Sequence, residues 1–296
     1  MAGWEDVERH NSPAAQHDEL TEQAQALIRF ARLTPQQVER VVALQNQHNI
    51  SFARAATELG YLSRQDLMSE MSRQFSYPIL SGHSYGSQFS RELVVGHEPF
   101  SPAAEAIRSI RTSIVSLAIA QGVRSFAVTA PRRGAGGTFF AGNIALAFAQ
   151  MAVPTLLVDA NLRDPRIADM FGLPPSSEGL SHALRARNID EIPIAPDVIP
   201  GLSILSAGII PPNPQELLSS GEFLGLANNL EKSFGVVIYD TAPAMDYVDA
   251  AVVAARVGAA IIVARQHETS YDDISTLAGK FRASQCKFLG TVMNAF

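Results

Sequence analysis

At 296 residues the chain is longer than an average single domain, and with 47% hydrophobic and 18% charged residues it is too apolar to be a disordered linker. The net charge of -6 is spread evenly, seven arginines against ten acids in residues 1–80 and sixteen bases against nineteen acids beyond, which excludes a basic footprint for nucleic acid. A lone cysteine, Cys286, excludes a disulfide framework and reads as a buried thiol.

The opening MAGWEDVERHNSP is acidic and has no apolar stretch, so no signal peptide is expected. Residues 1–30 show no strong period and read as a flexible arm. From Leu33 the pattern turns helical: Thr34 is an N-cap, Pro35 takes the first helical position, and Val38, Val41, Val42 and Leu44 follow near helical spacing. A second helix, Phe52 to Leu59, stops at Gly60. Ser63 caps a third, in which Leu67, Met71 and Phe75 recur at every fourth position before Pro78. Residues 31–80 therefore read as a small all-α interaction module. The stretch 81–97 opens with a Gly/Ser-rich segment and reads as a linker.

Beyond it, in residues 98–296, short apolar runs alternate with helices: SFAVTA (125–130), PTLLVDA (154–160), LSILSAG (202–208), GVVIYDT (235–241), AAIIVAR (259–265) and FLGTVMN (288–294). Continuous apolar strands separated by helices predict a doubly wound, mostly parallel α/β sheet covered on both faces. The longest apolar run, 251–264, is broken by Arg256 and falls short of the ~20 residues of a bilayer span, so it reads as core. Ligands of such sheets bind beyond the carboxyl ends of the strands.

The first strand is followed by APRRGAGGT and an Ala-rich helix. A glycine turn between strand and helix offers backbone N–H groups and a helix dipole to phosphate. Arg132, Arg133, Gly134, Ala135, Gly136, Gly137 and Thr138 are the candidate nucleotide-binding residues, although glycine stands at 137 where a phosphate loop carries lysine. Asp159 and Asp240 end two further strands, where magnesium would sit, and with Thr138 form the candidate metal set. Every lysine lies at 232 or beyond, which leaves Arg132 and Arg133 as the candidate substitute cations on the loop. The seven histidines show no ligand spacing, and no transition metal is expected.

Glu105, Arg108 and Arg111 at spacings of three, the loop at 130–138, LLVDANLRDPRIADMFGL, GLSHAL, LSAGIIPPNPQELL, FGVVIYDTAPAMDYVDA and LGTVMN together resemble the bacterial tyrosine kinase family. These P-loop proteins accompany exopolysaccharide chain-length determinants, and the sequence is most similar to their cytoplasmic EpsG type. The resemblance covers 98–296 and implies a P-loop fold shared with septum-site and partitioning ATPases. It implies ATP or ADP with magnesium as cofactor, and Asp159, Asn161 and Asp240 as catalytic positions. It also implies Glu105, Arg108 and Arg111 as a contact in a homo-oligomeric ring, and an inner-membrane chain-length determinant as partner. Two positions depart from the family: Gly137 replaces the lysine and Asn161 the second aspartate of its motif. Autophosphorylating members commonly end in a tyrosine-rich tail, whereas the six tyrosines here (61, 77, 85, 239, 247, 271) are dispersed, and only Tyr85 reads as accessible.

Residues 33–80 resemble the N-terminal domain of type II secretion ATPases, some of which bind cyclic di-GMP. The positions of its Arg-Leu-Gly triplet hold Ser51, Phe52 and Ala53, so protein docking is expected rather than cyclic di-GMP binding. The expected function is a cytoplasmic, degenerate kinase that regulates exopolysaccharide assembly or chain length, peripheral to the inner membrane through its partner. The alternatives are a working tyrosine autokinase using arginine for lysine, and a partitioning ATPase. The last is disfavoured by the negative charge, the missing basic or amphipathic end, and the PPNPQELL stretch.

Overall fold

The computed structural model describes residues 24–25, 27–29, 31–63, 79–80, 88–186 and 192–295. The chain divides into two compact units, residues 1–84 and 85–296.

In the first unit α1 spans Pro35–His48 and α2 Phe52–Glu58. Thr34 and Gln37 form a reciprocal capping box at the start of α1, and the Ser51 hydroxyl accepts from the Arg54 N–H to cap α2. Val41, Phe52, Ala55, Ala56 and Leu62 make the core, with Leu27 buried among them. Residues 24, 25, 27–29 and 31 are helical, so the module extends back into the expected arm. Leu27 is buried in the module's core and Ala24, Ile28 and Ala31 pack against it, which draws this stretch into the module. The expected third helix lies at 64–75, outside the described residues.

The second unit runs α3 (Val94–His97), α4 (Pro102–Leu117), β1 (Ser125–Thr129), α5 (Gly137–Ala149), β2 (Thr155–Asp159), α6 (Ile167–Met170), α7 (Leu180–Ala186), β3 (Ala195–Ile199) and β4 (Leu202–Leu205). It continues with α8 (Pro214–Ser219), α9 (Gly221–Ser233), β5 (Val236–Asp240), α10 (Asp249–Val257), β6 (Ala259–Arg265), α11 (Tyr271–Ala283) and β7 (Lys287–Asn294). The sheet order is β3-β4-β2-β5-β1-β6-β7, parallel throughout except for β3, which pairs antiparallel with β4. All six strands expected from apolar runs are present. The seventh, β3, was not expected: its residues APDVI are partly exposed and include Pro196, and pairing with β4 through a two-residue turn defines it.

Strands β1, β2, β4 and β5 are buried along their whole length, as a sheet covered on both faces requires. Ala127, Val237 and Tyr239 share a cluster with Leu226 and Leu230 of α9, Val253 of α10 and Phe281 of α11. Helix α5 packs on β1, β2 and β5 and is buried at every position from Phe140 to Ala149, which explains its apolar all-round sequence. Cys286 is buried, and burial pushes its thiol up to about 12.

The expected linker is too long. Phe89 stacks edge-on against Phe171 with ring centroids 6.4 Å apart, and Leu93 and Val95 are fully buried. The Val95 N–H donates to Asn143 of α5 at 3.0 Å. Residues 88–97 are thus a packed part of this unit, because their apolar side chains outweigh the Gly/Ser-rich stretch before them.

Candidate functional site

The place of β1 between β5 and β6, with β2 and β7 next in line on either side, brings five strand ends together. From β1 the chain enters the loop 130–136, where Gly134 and Gly136 hold φ values of +85° and +96°. Gly136 has a second constraint: a Cβ there would lie 2.2 Å from Asn294 Nδ2. The carbonyls of Gly134 and Ala135 are tied outward, accepting from Arg265 Nη1 at 3.2 Å and Asn294 Nδ2 at 3.1 Å. Arg265 ends β6 and Asn294 ends β7, so the two strands beyond β1 shape the loop.

Asp159 and Asp240 close β2 and β5 directly opposite each other in the ladder, both fully buried. The Thr138 hydroxyl donates to Asp240 Oδ2 at 2.7 Å, while Asp240 Oδ1 is buried with no hydrogen-bond partner. Asp159 accepts three backbone N–H groups, from Asn161 at 3.2 Å, Arg166 at 3.1 Å and Ile167 at 3.0 Å. Burial raises Asp159 to about 7 against those hydrogen bonds, and burial together with the charge of Asp159 raises Asp240 well above the carboxylate range.

Two buried carboxylates, one carrying an orphaned oxygen, beside a hydroxyl form an all-oxygen donor set suited to magnesium. The glycine loop beside them is shaped for phosphate. The residues present therefore fit a magnesium nucleotide, with Thr138, Asp159 and Asp240 toward the metal. The lysine position does not: Gly137 offers no charge, although a Cβ built there would meet nothing closer than Ala130 Cβ at 3.6 Å.

Asn161 is not merely a neutral copy of aspartate. Its Nδ2 donates to the Asp164 carbonyl at 2.9 Å and its Oδ1 accepts from the Asp164 N–H at 3.2 Å, which closes the turn after β2. Both atoms of the side-chain amide are used, and a carboxylate could make only one of these bonds.

These features open onto a cavity of about 880 Å³ lined by the loop, Thr138, Asn161 and five arginines. Each arginine is paired. Arg132 reaches Asp273 at 3.4 Å, Arg133 reaches Asp164 at 2.7 Å, and Arg265 reaches Glu268 at 3.2 Å. Arg166 contacts both Glu92 oxygens at 3.3 Å. Arg163 makes a two-point contact with Asp249, at 2.6 and 3.0 Å, and its guanidinium lies 4.0 Å over the Tyr247 ring at the cavity rim. Of the five acids only Asp249 is completely buried.

The sequence expectations brought together Arg132, Arg133, Thr138, Asn161, Asp159 and Asp240, and all of them meet here. Arg163, Arg166, Tyr247, Arg265, Asn294 and Glu92 were not among them. Arg265 and Asn294 close two of the expected strands, and the rule of looking beyond carboxyl ends would have found both. Glu92 and Tyr247 carry no local signal. Tyr239 is fully buried within β5, as its strand position implied, while Tyr85 and Tyr77 lie outside the described residues.

Glu105, Arg108 and Arg111 lie apart from this cavity on α4. Arg108 pairs with Glu105 at 2.9 Å and donates to the Pro99 carbonyl. Arg111 turns inward and donates to the Ala147 carbonyl of α5 at 2.8 Å. The three do not present one outer surface.

No family model matches the chain. The Bacillus subtilis (strain 168) protein named tyrosine-protein kinase YwqD is 31% identical over 209 residues, covering 71% of this chain and 88% of that protein. The crystal structure of the chimerical protein CapA2B2 superposes with a TM-score of 0.64 at 32% identity, covering 77% of this chain and 98% of its own. The kinase domain of the Escherichia coli tyrosine kinase ETK gives 0.65 at 26% identity, covering 76% and 86%. The Pyrococcus horikoshii septum site-determining protein MinD, in complex with Mg-ADP, shares the fold alone, at 15% identity, a TM-score of 0.50 and coverage of 58% and 70%. A P-loop sheet with its strand-end carboxylates in place, matched across the length of such relatives, makes this chain a member of the bacterial tyrosine kinase family.

Proposed function

We propose that the chain is a nucleotide-binding regulator of exopolysaccharide synthesis or export, in which the kinase site holds ATP or ADP with magnesium but transfers phosphate poorly or not at all. The observation that carries this reading is the pair of departures at the site: no cation at Gly137, and an amide at Asn161 committed to the turn with Asp164. Phosphoryl transfer depends on positioning and on stabilising charge on the transferred group. Magnesium held there would supply neutralisation of the phosphate charge. The N–H groups of residues 133–138 would cradle the phosphates, Thr138, Asp159 and Asp240 would hold the metal, and Asp159 also holds the ends of the turn that carries Arg166. Asn161 has no negative charge with which to accept a proton from a phenol.

The proposed setting is cytoplasmic, peripheral to the inner membrane through a chain-length determinant protein, with homo-oligomers assembled through the α4 surface around Glu105 and Arg108. Among the described residues no helix is long and apolar enough to cross a membrane. The helical module is proposed as a protein-docking element without cyclic di-GMP. Phe52 is buried, Ser51 is spent on its helix cap, and Arg54 pairs with Glu58 at 3.1 Å. The second reading, an active autokinase with arginine in place of lysine, is favoured by the five arginines around the cavity.

Calorimetry with magnesium ADP and ATP, paired with a phosphotyrosine blot after incubation with ATP, separates the two. Binding without phosphotyrosine supports the regulator. Robust autophosphorylation abolished by Asp240→Ala supports the kinase. No binding at ~10 mM ligand overturns both.

A further inference from the structure

We infer that Arg166 is the side chain that brings to the phosphates of a bound nucleotide the positive charge that Gly137 lacks, and that Glu92 holds it until they arrive. The inference rests on the nucleotide-binding reading above. Several arginines line the cavity, so the choice turns on where each is anchored and what its release costs.

Arg163 is locked by Asp249, and freeing it would strand a fully buried carboxylate. Arg265 is spent on the Gly134 carbonyl and on Glu268. Arg132 is drawn to Asp273 on α11, and Arg133 makes a short contact with Asp164.

Arg166 differs in two respects. Its own N–H donates to Asp159 Oδ2 at 3.1 Å, so its backbone is fixed at the carboxylate floor of the site. Its two contacts with Glu92 are long, 3.3 Å each, and both side chains are about half exposed, which makes the pair weak and exchangeable.

Glu92 is positioned for the exchange. Its carbonyl accepts from Asn143 Nδ2 of α5 at 2.8 Å, so both backbones are anchored and only the side chains need to part. A guanidinium leaving a single solvated carboxylate for a phosphate gains a charge-assisted, two-point contact that the carboxylate held only loosely.

Calorimetry on the full chain with magnesium ADP and magnesium ATP tests this, using Arg166→Gln, Glu92→Gln, the double variant, Arg132→Gln and Arg133→Gln. Arg166→Gln is expected to weaken binding about tenfold to a hundredfold. Glu92→Gln is expected to tighten it about twofold to fivefold by releasing the arginine, a gain that a merely structural Glu92 would not give. The double variant should match Arg166→Gln alone, and thermal melting should show all of them folded. An Arg166→Gln affinity within twofold of wild type, a loss on Glu92→Gln, or a loss that follows Arg132 or Arg133 instead overturns the assignment while nucleotide binding itself stands. Absence of binding by both wild type and Glu92→Gln overturns the assignment together with the reading beneath it.

Discussion

The loop after β1 and the turn after β2 each hold one of the two residues on which the proposed regulator rests, Gly137 and Asn161, and the two have different structural standing. Gly137 leaves an opening: no neighbour lies closer than 3.6 Å to a Cβ placed there. Asn161 is built in, since both ends of its amide bond to Asp164, and the same turn carries Arg163 to Asp249 and Arg166 to Glu92. A missing residue can thus be a simple loss in one loop and part of the architecture in the next. The first should be restorable by a single substitution, and the second should not.

The largest effect should come from breaking the wiring of the β2 turn. Arg163→Ala strands the fully buried carboxylate of Asp249 and should cost about 3–5 kcal/mol in urea denaturation. A loss under about 1 kcal/mol would mean that the turn is less committed than its bonds suggest.

The floor shared by the two loops gives a pH test. A carboxyl group whose folded pKa is raised keeps its proton in the folded state while the unfolded chain loses it. Stability from this source is therefore fully present below about 4 and is lost as pH rises through about 7, the value for Asp159. The ligand-free protein should lose several degrees of melting temperature across that window. Asp240→Asn should flatten the decline and raise the melting temperature at pH 8, because it removes the second charge. A melting temperature that climbs over the same window would contradict the sign.

Gly137→Lys should fill the opening after β1 and tighten magnesium nucleotide binding by about 1.5–3 kcal/mol, roughly tenfold to a hundredfold, without loss of stability. Asn161→Asp should do the reverse of a restoration. With the donor to the Asp164 carbonyl replaced by a carboxylate, it should cost about 1–2 kcal/mol of stability and leave nucleotide affinity nearly unchanged. An Asn161→Asp protein that is as stable as wild type and gains turnover would erase the distinction between the loops.

Much of this could be read in advance, for a physical reason. A strand buried on both faces is written as a continuous apolar run, so β1, β2, β4, β5 and β6 announced themselves, and with them the carboxylates at two of their ends, while the partly exposed edge strand β7 was legible from its own run FLGTVMN. The edge strand β3 is defined by its partner rather than by its own residues, and Pro196 and Asp197 hid it. The packed segment 88–97 was obscured because Phe89, Leu93 and Val95 find their contacts in α5, α6 and their surroundings, far along the chain. Arg132 and Arg133 were legible as cations of the loop, but the acids that pair with the site's arginines were not. Arg166 and Glu92 are 74 residues apart and Arg132 and Asp273 are 141 apart, and only the folded sheet makes them neighbours.

The contact between Asn294 and the loop bears on the order in which the molecule assembles. Ala135 and Asn294 are 159 residues apart, and the outward carbonyls of the loop find their partners only after β6 has docked on β1 and β7 on β6. Such long-range pairing is slow, because the entropy of closing the chain is lost before the contact repays it. The nucleotide cradle, although it follows the first strand of the sheet, is therefore among the last features to take shape. A nascent chain that has not yet placed β7 carries the loop sequence without the loop.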